Sequence, residues 1–320
     1  MDKKILEYQE VELSYQKGAP HTLCGISFSI NEGEFVTILG SSGSGKTTLI
    51  KLANRLLEPT SGAVLFDGQN VKDLDRLELR KKIGYVIQQV GLFPHMTVEE
   101  NIEIMPKVMG WDSKKRKERV DQLLEVSQLP VTDEFKKRHP WQLSGGQQQR
   151  VGLARALCSE PKVLLMDEPF GALDVVTRKE LQRELLNIHK KFRKTILFVT
   201  HDLQEAISLG DRVLVIHEGK IQQFDTPKNM VLYPANDYIR ELFDATTPTE
   251  RMMYFKVKDF GDLLRMDERP QGVEMDWEDS MEKVLNGILQ GYNEILIFRG
   301  QKYMGYFLRD DLKKIGEVVC

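Results

Sequence analysis

The sequence predicts an α/β protein with a mainly parallel sheet and helices on both of its faces, followed by a smaller α+β unit. A short apolar run at residues 34–39 leads into a glycine-rich loop and then into a helical pattern at residues 47–54. Strand and helix patterns alternate from there to about residue 240, which is typical of parallel strands joined by helices. The composition then shifts near residues 244–249, which indicates a linker before the smaller unit.

The first part of the chain is predicted to open with strands. Residues 5–13 and 26–30 alternate apolar and polar side chains, as half-buried strands do. After the glycine-rich loop, the sequence Pro-Thr-Ser-Gly at residues 59–62 is predicted to stop the first helix. Thr97 and Glu100 have the spacing of a capping box, which predicts that a helix begins there.

The smaller unit is predicted to combine helices with a two-stranded hairpin. Its first helix ends near residue 290, where Gly291 takes the C-cap role. Strands are predicted at residues 294–298 and 303–307, with a turn between them, and a last helix at residues 309–315.

The composition indicates a globular chain. Of the 320 residues, 41% are hydrophobic and 29% are charged, with a net charge of −3 that gives no electrostatic reason to expect nucleic-acid binding. No apolar run approaches the ~18 residues that a membrane span needs, and the first residues lack the apolar core of a signal peptide. We therefore expect the chain in the cytoplasm, with any membrane role exerted through a partner. Cys24, Cys158 and Cys320 are widely spaced, which argues against disulfides and against a zinc site.

The glycine-rich loop matches G-x-x-x-x-G-K-[ST], the pattern of loops that bind nucleotide phosphates. The loop and the residue after it are Gly40, Ser41, Ser42, Gly43, Ser44, Gly45, Lys46, Thr47 and Thr48. A strand, such a loop and a helix direct backbone N–H groups and the positive end of a helix dipole at one anion. Lys46 would reach the β- and γ-phosphates, and the Thr47 hydroxyl would hold Mg²⁺.

Three further polar residues follow predicted buried strands. Asp167 ends the apolar run 163–167, where its carboxylate can hold Mg²⁺. Glu168 can orient or deprotonate an attacking water, although a plain surface acid at a strand end is the alternative. His201 follows the run 196–200 and can hydrogen-bond a γ-phosphate, with a purely structural histidine as the alternative.

Several motifs resemble those of the ATP-binding cassette (ABC) transporter ATPases over roughly residues 4–240. Residues 143–147 read LSGGQ, the signature of that family, and residues 163–169 match its Walker B strand. The stretch ending at Asp174 resembles the D-loop, and Gln88 resembles the glutamine of the Q-loop. Tyr15 lies where the family stacks an aromatic ring on adenine, with a core aromatic as the alternative.

The resemblance implies a P-loop cassette at residues 1–243, with a β subdomain, a parallel-sheet core and a helical subdomain. It implies ATP and Mg²⁺ as the bound groups. The implied catalytic residues are Lys46, Glu168 and His201, and the implied metal ligands are Thr47, Gln88 and Asp167. In this family the signature loop contacts the ATP of a facing subunit, so the resemblance implies a head-to-tail dimer of two copies. The residues that would contribute to the partner's site are Ser144, Gly145, Gly146, Gln147 and Asp174.

The run at residues 83–96 is similar to that of the osmoprotectant importer ATPases, whose solutes are quaternary ammonium compounds. This similarity implies a bacterial importer subunit at the cytoplasmic face of the cell membrane, served by an external solute-binding protein. Glycine betaine, carnitine and choline are the expected solutes, and a relative such as ergothioneine is an alternative. An amino-acid or methionine importer ATPase is a second alternative, and a non-transport ATP-driven switch is a third.

The segment Gln88–Asn101 is expected to contact the permease, because the corresponding segment does so in importers of this family. An exposed apolar patch is predicted there. Its members are Leu92, Phe93, Pro94 and Met96. The alternative is that Phe93 and Met96 belong to the core of the helical subdomain. The basic run at residues 114–119 either faces anionic lipid or forms a solvated helix face.

After a linker at residues 244–256, residues 257–320 resemble a single cystathionine-β-synthase-type (CBS) repeat. The resemblance implies a regulatory or dimerisation domain. Leu308 stands where nucleotide-binding repeats carry Thr or Ser, upstream of Asp311, so we expect that this module does not bind a nucleotide. Dimerisation without a ligand and sensing of ionic strength through an acidic surface are the alternatives.

Overall fold

The computed structural model divides into two compact units, Met1–Phe224 and Asp225–Cys320. The residues that the structure describes are 3–15, 22–88, 91–171, 173–244, 251–252, 254–267, 269–311 and 315. The division by compactness falls before the expected linker, and the domain bounds 1–243, 244–256 and 257–320 stay a prediction. In the described part of the chain, no helix is long and apolar enough to cross a membrane.

The first unit contains two sheets and a helical region. Its elements are β1 (Lys4–Leu13), β2 (Leu23–Asn31), β3 (Phe35–Leu39), α1 (Lys46–Ala53), β4 (Ser61–Phe66), β5 (Gln69–Asn70), α2 (Arg76–Lys81), β6 (Ile83–Val86), α3 (Val98–Val108), α4 (Ser113–Val126), α5 (Asp133–Lys136), a 3-10 helix (Pro140–Gln142), α6 (Gly145–Cys158), β7 (Val163–Asp167), α7 (Val175–Phe192), β8 (Thr195–Thr200), α8 (Leu203–Leu209), β9 (Arg212–His217) and β10 (Lys220–Asp225). The last residue of β10 already belongs to the second unit. The smaller sheet has the order β2-β1-β4-β5 with antiparallel neighbours. The larger sheet has the order β10-β9-β3-β8-β7-β6, and its neighbours from β9 to β6 are parallel. The predicted parallel-sheet core is therefore confirmed.

The larger sheet is covered on both faces, which explains why its strands read as continuous apolar runs. Every residue of β3, β7 and β8 is buried. Val163 and Leu165 belong to the core shared with α1 and the smaller sheet. Leu164 and Met166 belong to the core shared with the helical region. Because β3, β7 and β8 are parallel, their carboxyl ends lie at one edge of the sheet, where ligands bind in α/β folds.

The start of α3 matches its prediction, whereas the end of α1 does not. Thr97 and Glu100 form the capping box, with each side chain accepting a hydrogen bond from the other's backbone N–H at 3.2 and 2.8 Å. The prediction that residues 59–62 stop the first helix is wrong, because α1 ends at Ala53. Asn54 caps it through its N–H, and Arg55 then turns into the left-handed region with φ 48°.

The basic run at residues 114–119 is partly neutralised within the chain. Arg116 donates to Glu103 at 2.8 Å, and Lys115 lies 3.8 Å from the centre of the Trp111 ring. Arg119 is buried and donates to the Leu157 carbonyl at 3.2 Å. The run is therefore not a continuous free cationic face.

The second unit builds a small sheet against helices. Its elements are α9 (Pro227–Leu232), α10 (Asp237–Asp244), a 3-10 helix (Val257–Leu263), β11 (Val273–Asp276), α11 (Met281–Leu289), β12 (Glu294–Arg299) and β13 (Lys302–Leu308). β11 and β12 are parallel and β12 and β13 are antiparallel. The predicted helix end is confirmed, since Gly291 follows α11 with φ 99°. Residues 312–314 of the predicted last helix lie outside the described residues, as does Cys320.

Asp311 is engaged inside the second unit. Its carboxylate accepts two hydrogen bonds from the Arg265 guanidinium at 3.0 and 2.9 Å. It also accepts one from the backbone N–H of Leu308 at 2.9 Å. Asp311 is 3% exposed, so this buried carboxylate links the end of β13 to the segment before β11 through hydrogen bonds.

Candidate active site

The loop at residues 40–45 leads from the end of β3 into α1 and wraps tightly. Gly45 precedes α1 with φ 104°, a left-handed conformation that glycine adopts without steric cost. A Cβ atom at Gly40 would lie 2.3 Å from the carbonyl oxygen of Ile216. The path of the backbone therefore requires both end glycines.

Lys46, the first residue of α1, is a buried cation that packs against this loop. The residue is 5% exposed, and its Nζ donates to the carbonyls of Gly40 at 2.8 Å and Ser41 at 2.9 Å. Burial lowers the pKa of the Lys46 ammonium, and the nearby carboxylates of Glu168 and Asp167 oppose that shift. The Ser44 hydroxyl is also buried, and it has no hydrogen-bond partner among the described atoms. A buried ammonium and an unsatisfied hydroxyl fit an anionic ligand with several oxygens.

Thr47 and Asp167 bring two oxygen ligands together. The Thr47 hydroxyl donates to Asp167 Oδ1 at 2.9 Å. Burial raises the pKa of the Asp167 carboxyl, and the hydrogen bond from Thr47 opposes this shift. In the described part of the chain, no group of three His, Cys, Asp or Glu side chains could hold a metal by itself. A hydroxyl and one carboxylate suit Mg²⁺, which typically takes few protein ligands and completes its shell with phosphate and water oxygens.

Glu168 stands at the meeting point of three side chains. Its Oε2 accepts from Gln88 Nε2 at 3.4 Å and lies 3.1 Å from His201 Nδ1, while its Oε1 lies 3.8 Å from Lys46 Nζ. The backbone of Glu168 is left-handed, with φ 43°. Such a conformation in a non-glycine residue is uncommon and costs free energy, and it turns the side chain out of the strand line at the sheet edge.

Lys46, Thr47 and Glu168 lie along one cleft of about 490 Å³. Its lining residues are Tyr15, Thr22, Ser42, Gly43, Gly45, Lys46, Thr47, Thr48, Gln88 and Glu168. The volume lies in the range of roughly 300–1,000 Å³ that is usual for small-molecule sites. Tyr15 is 59% exposed and its hydroxyl lies 3.0 Å from Thr48 Oγ1. The alternative of a core aromatic at Tyr15 is therefore wrong.

The predicted signature residues do not line this cleft. Ser144 caps α6, because its hydroxyl accepts a hydrogen bond from the Gln147 N–H at 3.2 Å; the Ser144 N–H in turn donates to Gln147 Oε1 at 3.1 Å. A Cβ atom at Gly146 would lie 2.8 Å from Thr177 Cγ2, so packing inside the chain already requires this glycine. Asp174 caps α7 by accepting hydrogen bonds from two backbone N–H groups at 3.0 Å each. The Thr177 hydroxyl, followed by these backbone groups, lowers the pKa of the Asp174 carboxyl.

A second, smaller cavity adjoins Glu168 and brings in residues that no motif singled out. Its volume is about 30 Å³, enough for a water molecule. Its lining residues are Glu168, Gly171, Arg178, Thr200, His201, Asp202 and Glu205. Glu205 is buried, which raises the pKa of its carboxyl, and a hydrogen bond from Thr200 opposes the shift. Arg178 and Glu205 lie on helices among many charged residues, and only their placement in the fold distinguishes them.

The segment Gln88–Asn101 is anchored by its backbone, although Gln89 and Val90 lie outside the described residues. Asn101 is fully buried; its amide donates to the Phe93 and Met96 carbonyls at 3.1 and 3.2 Å, and its oxygen accepts from Phe93 N at 2.8 Å. Arg155 of α6 donates to the Gly91 carbonyl at 2.7 Å.

The predicted apolar patch on this segment is narrower than expected. Phe93, at 39% exposed, and Pro94 are exposed. The prediction of an exposed Leu92 is wrong, because Leu92 packs against the core of the helical region. Met96 is half-buried.

Comparisons with known proteins agree with this geometry. Residues 23–171 match the family model described as ABC transporter. The glycine betaine/carnitine/choline transport ATP-binding protein OpuCA of Bacillus subtilis (strain 168) is 48% identical over 237 residues, or 74% of this chain and 62% of that protein. The glycine betaine uptake system ATP-binding protein YehX of Escherichia coli (strain K12) is 39% identical over 282 residues, or 88% of this chain and 90% of that protein.

A solved structure shares the fold of the first unit. The dimeric ATP-binding cassette MJ0796, in a post-hydrolysis state bound to ADP and Pi, is 35% identical with a TM-score of 0.61. The match covers 69% of this chain and 98% of that one. The phosphate-binding loop, the two-sheet architecture and the extent of these similarities together show that the chain belongs to the ABC transporter family.

Proposed function

We propose that this chain hydrolyses ATP to power the import of a quaternary ammonium solute through a separate permease. The observation that carries the proposal is the convergence of Lys46, the Thr47–Asp167 pair and Glu168 at one cleft. The names of the relatives, which are transport ATP-binding proteins for glycine betaine, carnitine and choline, support the class of solute. The matched part of the chain spans about three fifths of the first of these relatives, so activity, solute and partners all belong to the proposal.

The chemistry assigned to the cleft is attack of water on the γ-phosphorus of ATP. The bond between the γ-phosphorus and the bridging oxygen breaks, which releases ADP and inorganic phosphate. Lys46 neutralises phosphate charge, and Tyr15 offers an exposed ring to the adenine. Glu168 orients the water and takes its proton. His201, held 3.1 Å from Glu168, contacts the γ-phosphate. Thr47, Asp167 and Gln88 would hold Mg²⁺, which supplies further charge neutralisation when bound.

Two copies of this chain are proposed to form a head-to-tail dimer. Ser144, Gly146 and Asp174 line no part of the described cleft, so in our proposal they act on the nucleotide of a second copy in a head-to-tail dimer. The dimeric cassette among the similar structures supports this arrangement. Binding of ATP would close the two copies, and hydrolysis would let them separate.

The permease is proposed to contact the segment Gln88–Asn101, through the exposed Phe93 and Pro94. The chain would then work at the cytoplasmic face of the cell membrane, and an external solute-binding protein would act only indirectly. Residues 257–320 are proposed to be a CBS-like dimerisation or regulatory module without a nucleotide. The internal pairing of Asp311 with Arg265 supports the absence of a nucleotide, because it engages the carboxylate that would face one.

Solute uptake in cells that lack this chain tests the proposal. The cells are complemented with the intact protein or with Glu168→Gln, and labelled glycine betaine, carnitine, choline, ergothioneine and methionine are supplied one at a time. We expect loss of uptake of one quaternary ammonium solute, restored only by the intact protein. Restoration of methionine uptake instead would assign the chain to the amino-acid importers. Unchanged uptake of all five solutes would contradict the proposed transport function.

A further inference from the structure

His201 is flanked by a closed set of hydrogen bonds. The Thr200 hydroxyl donates to Glu205 Oε2 at 2.6 Å, and the same oxygen of Thr200 accepts from the Asp202 N–H at 3.0 Å. Asp202 Oδ1 in turn accepts from the Glu205 N–H at 3.1 Å. These three residues, called the clamp below, fix the chain on both sides of His201 while its own side chain remains 60% exposed.

The clamp is tied to α7 through Glu205. Gln182 of α7 donates to Glu205 Oε1 at 3.1 Å. Arg178, one turn earlier, lies 3.9 Å from both Glu205 Oε1 and Asp202 Oδ2. Arg178 also donates to the carbonyl of Leu173 at 3.1 Å, in the segment that follows Glu168. The Arg178 side chain therefore contacts the segment after Glu168 and also lies beside the clamp.

Capping of α8 does not explain why Glu205 is buried. The Asp202 side chain already caps that helix. Glu205 is 7% exposed, and a buried carboxylate is costly unless its hydrogen bonds are met. Its two oxygens meet this requirement by accepting from Thr200 and Gln182, which fixes the position of the clamp relative to α7.

We propose that Glu205 is a positioning residue, which holds His201 at its hydrogen-bond distance from Glu168 through the clamp and α7. The inference deepens the proposed function and rests on it, since His201 matters to hydrolysis only if Glu168 activates the water. Glu205 does not line the cleft, and its hydrogen bonds lead towards His201 through Thr200 and Asp202.

Glu205→Gln tests this assignment without a change in side-chain volume. An amide presents one accepting oxygen where the carboxylate presents two, so one anchor of the clamp is lost. We expect kcat for ATP hydrolysis to fall about tenfold, the effect of losing one hydrogen bond to a charged group, while KM for ATP stays unchanged. Glu125→Gln, an exposed glutamate on α4, is the matched control and should leave both constants unchanged.

A double-mutant cycle separates positioning from general damage. In a His201→Ala background, Glu205→Gln should cause no further loss of kcat, because the group that it positions is already gone. An equal fall in both backgrounds would overturn the proposal. So would a raised KM with an unchanged kcat.

A measurement that needs no catalysis completes the test. NMR spectra are recorded of protein that is isotopically labelled at its six histidines. The ring resonance of His201 is the one that is missing from the spectrum of His201→Ala. Glu205→Gln should shift this resonance more than the other five, and Glu125→Gln should shift none. An unmoved His201 resonance would reject the positioning role even if the protein hydrolyses ATP. A shifted resonance in a protein without ATPase activity would retain the clamp and reject the proposed function.

Discussion

At the scale of single residues, the site combines groups that sequence motifs reveal with groups that they do not. Lys46 and Thr47 belong to one strand–loop–helix pattern, and Asp167 ends a second buried strand. Because such strands are parallel and their ends share one sheet edge, the meeting of the three residues could be predicted. Arg178 and Glu205 belong to different helices and meet only because both helices pack near the same sheet edge. No local periodicity carries that information, and the sequence analysis missed both residues.

The role of Glu168 leads to a direct prediction. Glu168→Gln keeps the hydrogen-bonding shape of the side chain but removes its ability to take a proton. We expect ATP binding to persist and kcat to fall by at least about a hundredfold. Equilibrium nucleotide binding and phosphate release measure the two effects. Glu218→Gln is a close control, because Glu218 is also left-handed, with φ 46°, and is exposed. Near-normal turnover of Glu168→Gln would remove Glu168 as the base.

At the scale of elements, strands were predicted more accurately than helix ends. β3, β7 and β8 are fully buried, so their apolar runs are unambiguous. The end of α1 depends on Asn54 and on the left-handed turn at Arg55, and neither residue is a strong stop signal in sequence. The exposure of Leu92 was mispredicted for a related reason, since an apolar residue in a loop looks the same in sequence whether it faces solvent or the core.

Ser144 caps α6 and is also proposed to act on the nucleotide of a second copy, and substitutions can separate these two roles. Ser144→Asp keeps an N-cap of similar strength, so we expect the free energy of unfolding to change by less than about 0.5 kcal/mol. The added negative charge would repel a phosphate presented by a second copy, so hydrolysis should fall more than about tenfold. Ser144→Ala should instead lose about 1 kcal/mol of stability through the missing cap. Denaturant unfolding and phosphate release measure both. Normal hydrolysis by Ser144→Asp would contradict a role of Ser144 in the partner's site.

The pairing of Asp67 with two lysines predicts how the stability of the first unit falls at acidic pH. Asp67 in the turn between β4 and β5 pairs with Lys162 Nζ at 2.6 Å and with Lys3 Nζ at 2.7 Å. These hydrogen bonds, that of Lys162 first, lower the pKa of Asp67 from 3.8 to about 2. A lowered folded-state pKa stabilises the fold above the unfolded value and ceases to do so as the pH falls through the folded value.

The difference in the free energy of unfolding between the wild type and Asp67→Asn, called the stability gap here, measures this contribution. We expect the wild type to be more stable at pH 7 and the gap to shrink between about pH 4 and pH 2. Urea unfolding at several pH values gives the gap. A gap that is as large at pH 2 as at pH 7 would show that the two lysines do not hold the Asp67 charge.

At the scale of the whole molecule, the sequence indicated two parts, but the compact units divide elsewhere. The second unit begins at Asp225 and includes α9 and α10. Ion pairing explains part of this difference, since Lys228 of α9 lies 2.9 Å from Asp259. The Phe243 and Tyr254 rings also meet, with centroids 5.8 Å apart. Contacts between side chains that are distant in sequence leave no trace in composition, which marked only the stretch at residues 244–249.

Truncation after Asp244 tests whether ATP hydrolysis needs the part of the second unit that follows α10. All residues that line the cleft lie before this point, so we expect ATP hydrolysis to persist. Thermal stability should fall, because Phe243 loses its contact with Tyr254 and exposes apolar surface. Scanning calorimetry and phosphate release measure the two outcomes. A folded, truncated chain without any hydrolysis would contradict the assignment of the chemistry to the first unit alone.

The backbone anchoring of the segment Gln88–Asn101 has a consequence for engineering and for evolution. The side chains of Asn101 and Arg155 form hydrogen bonds with main-chain atoms of the loop, at Gly91, Phe93 and Met96. The course of the loop therefore does not depend on which side chains its exposed positions carry. The exposed side chains at positions 93–95 can therefore be replaced while the backbone of the loop keeps its course. Under the proposed contact with the permease, replacement of these few side chains would change the partner that is recognised without changing the fold that supports the loop.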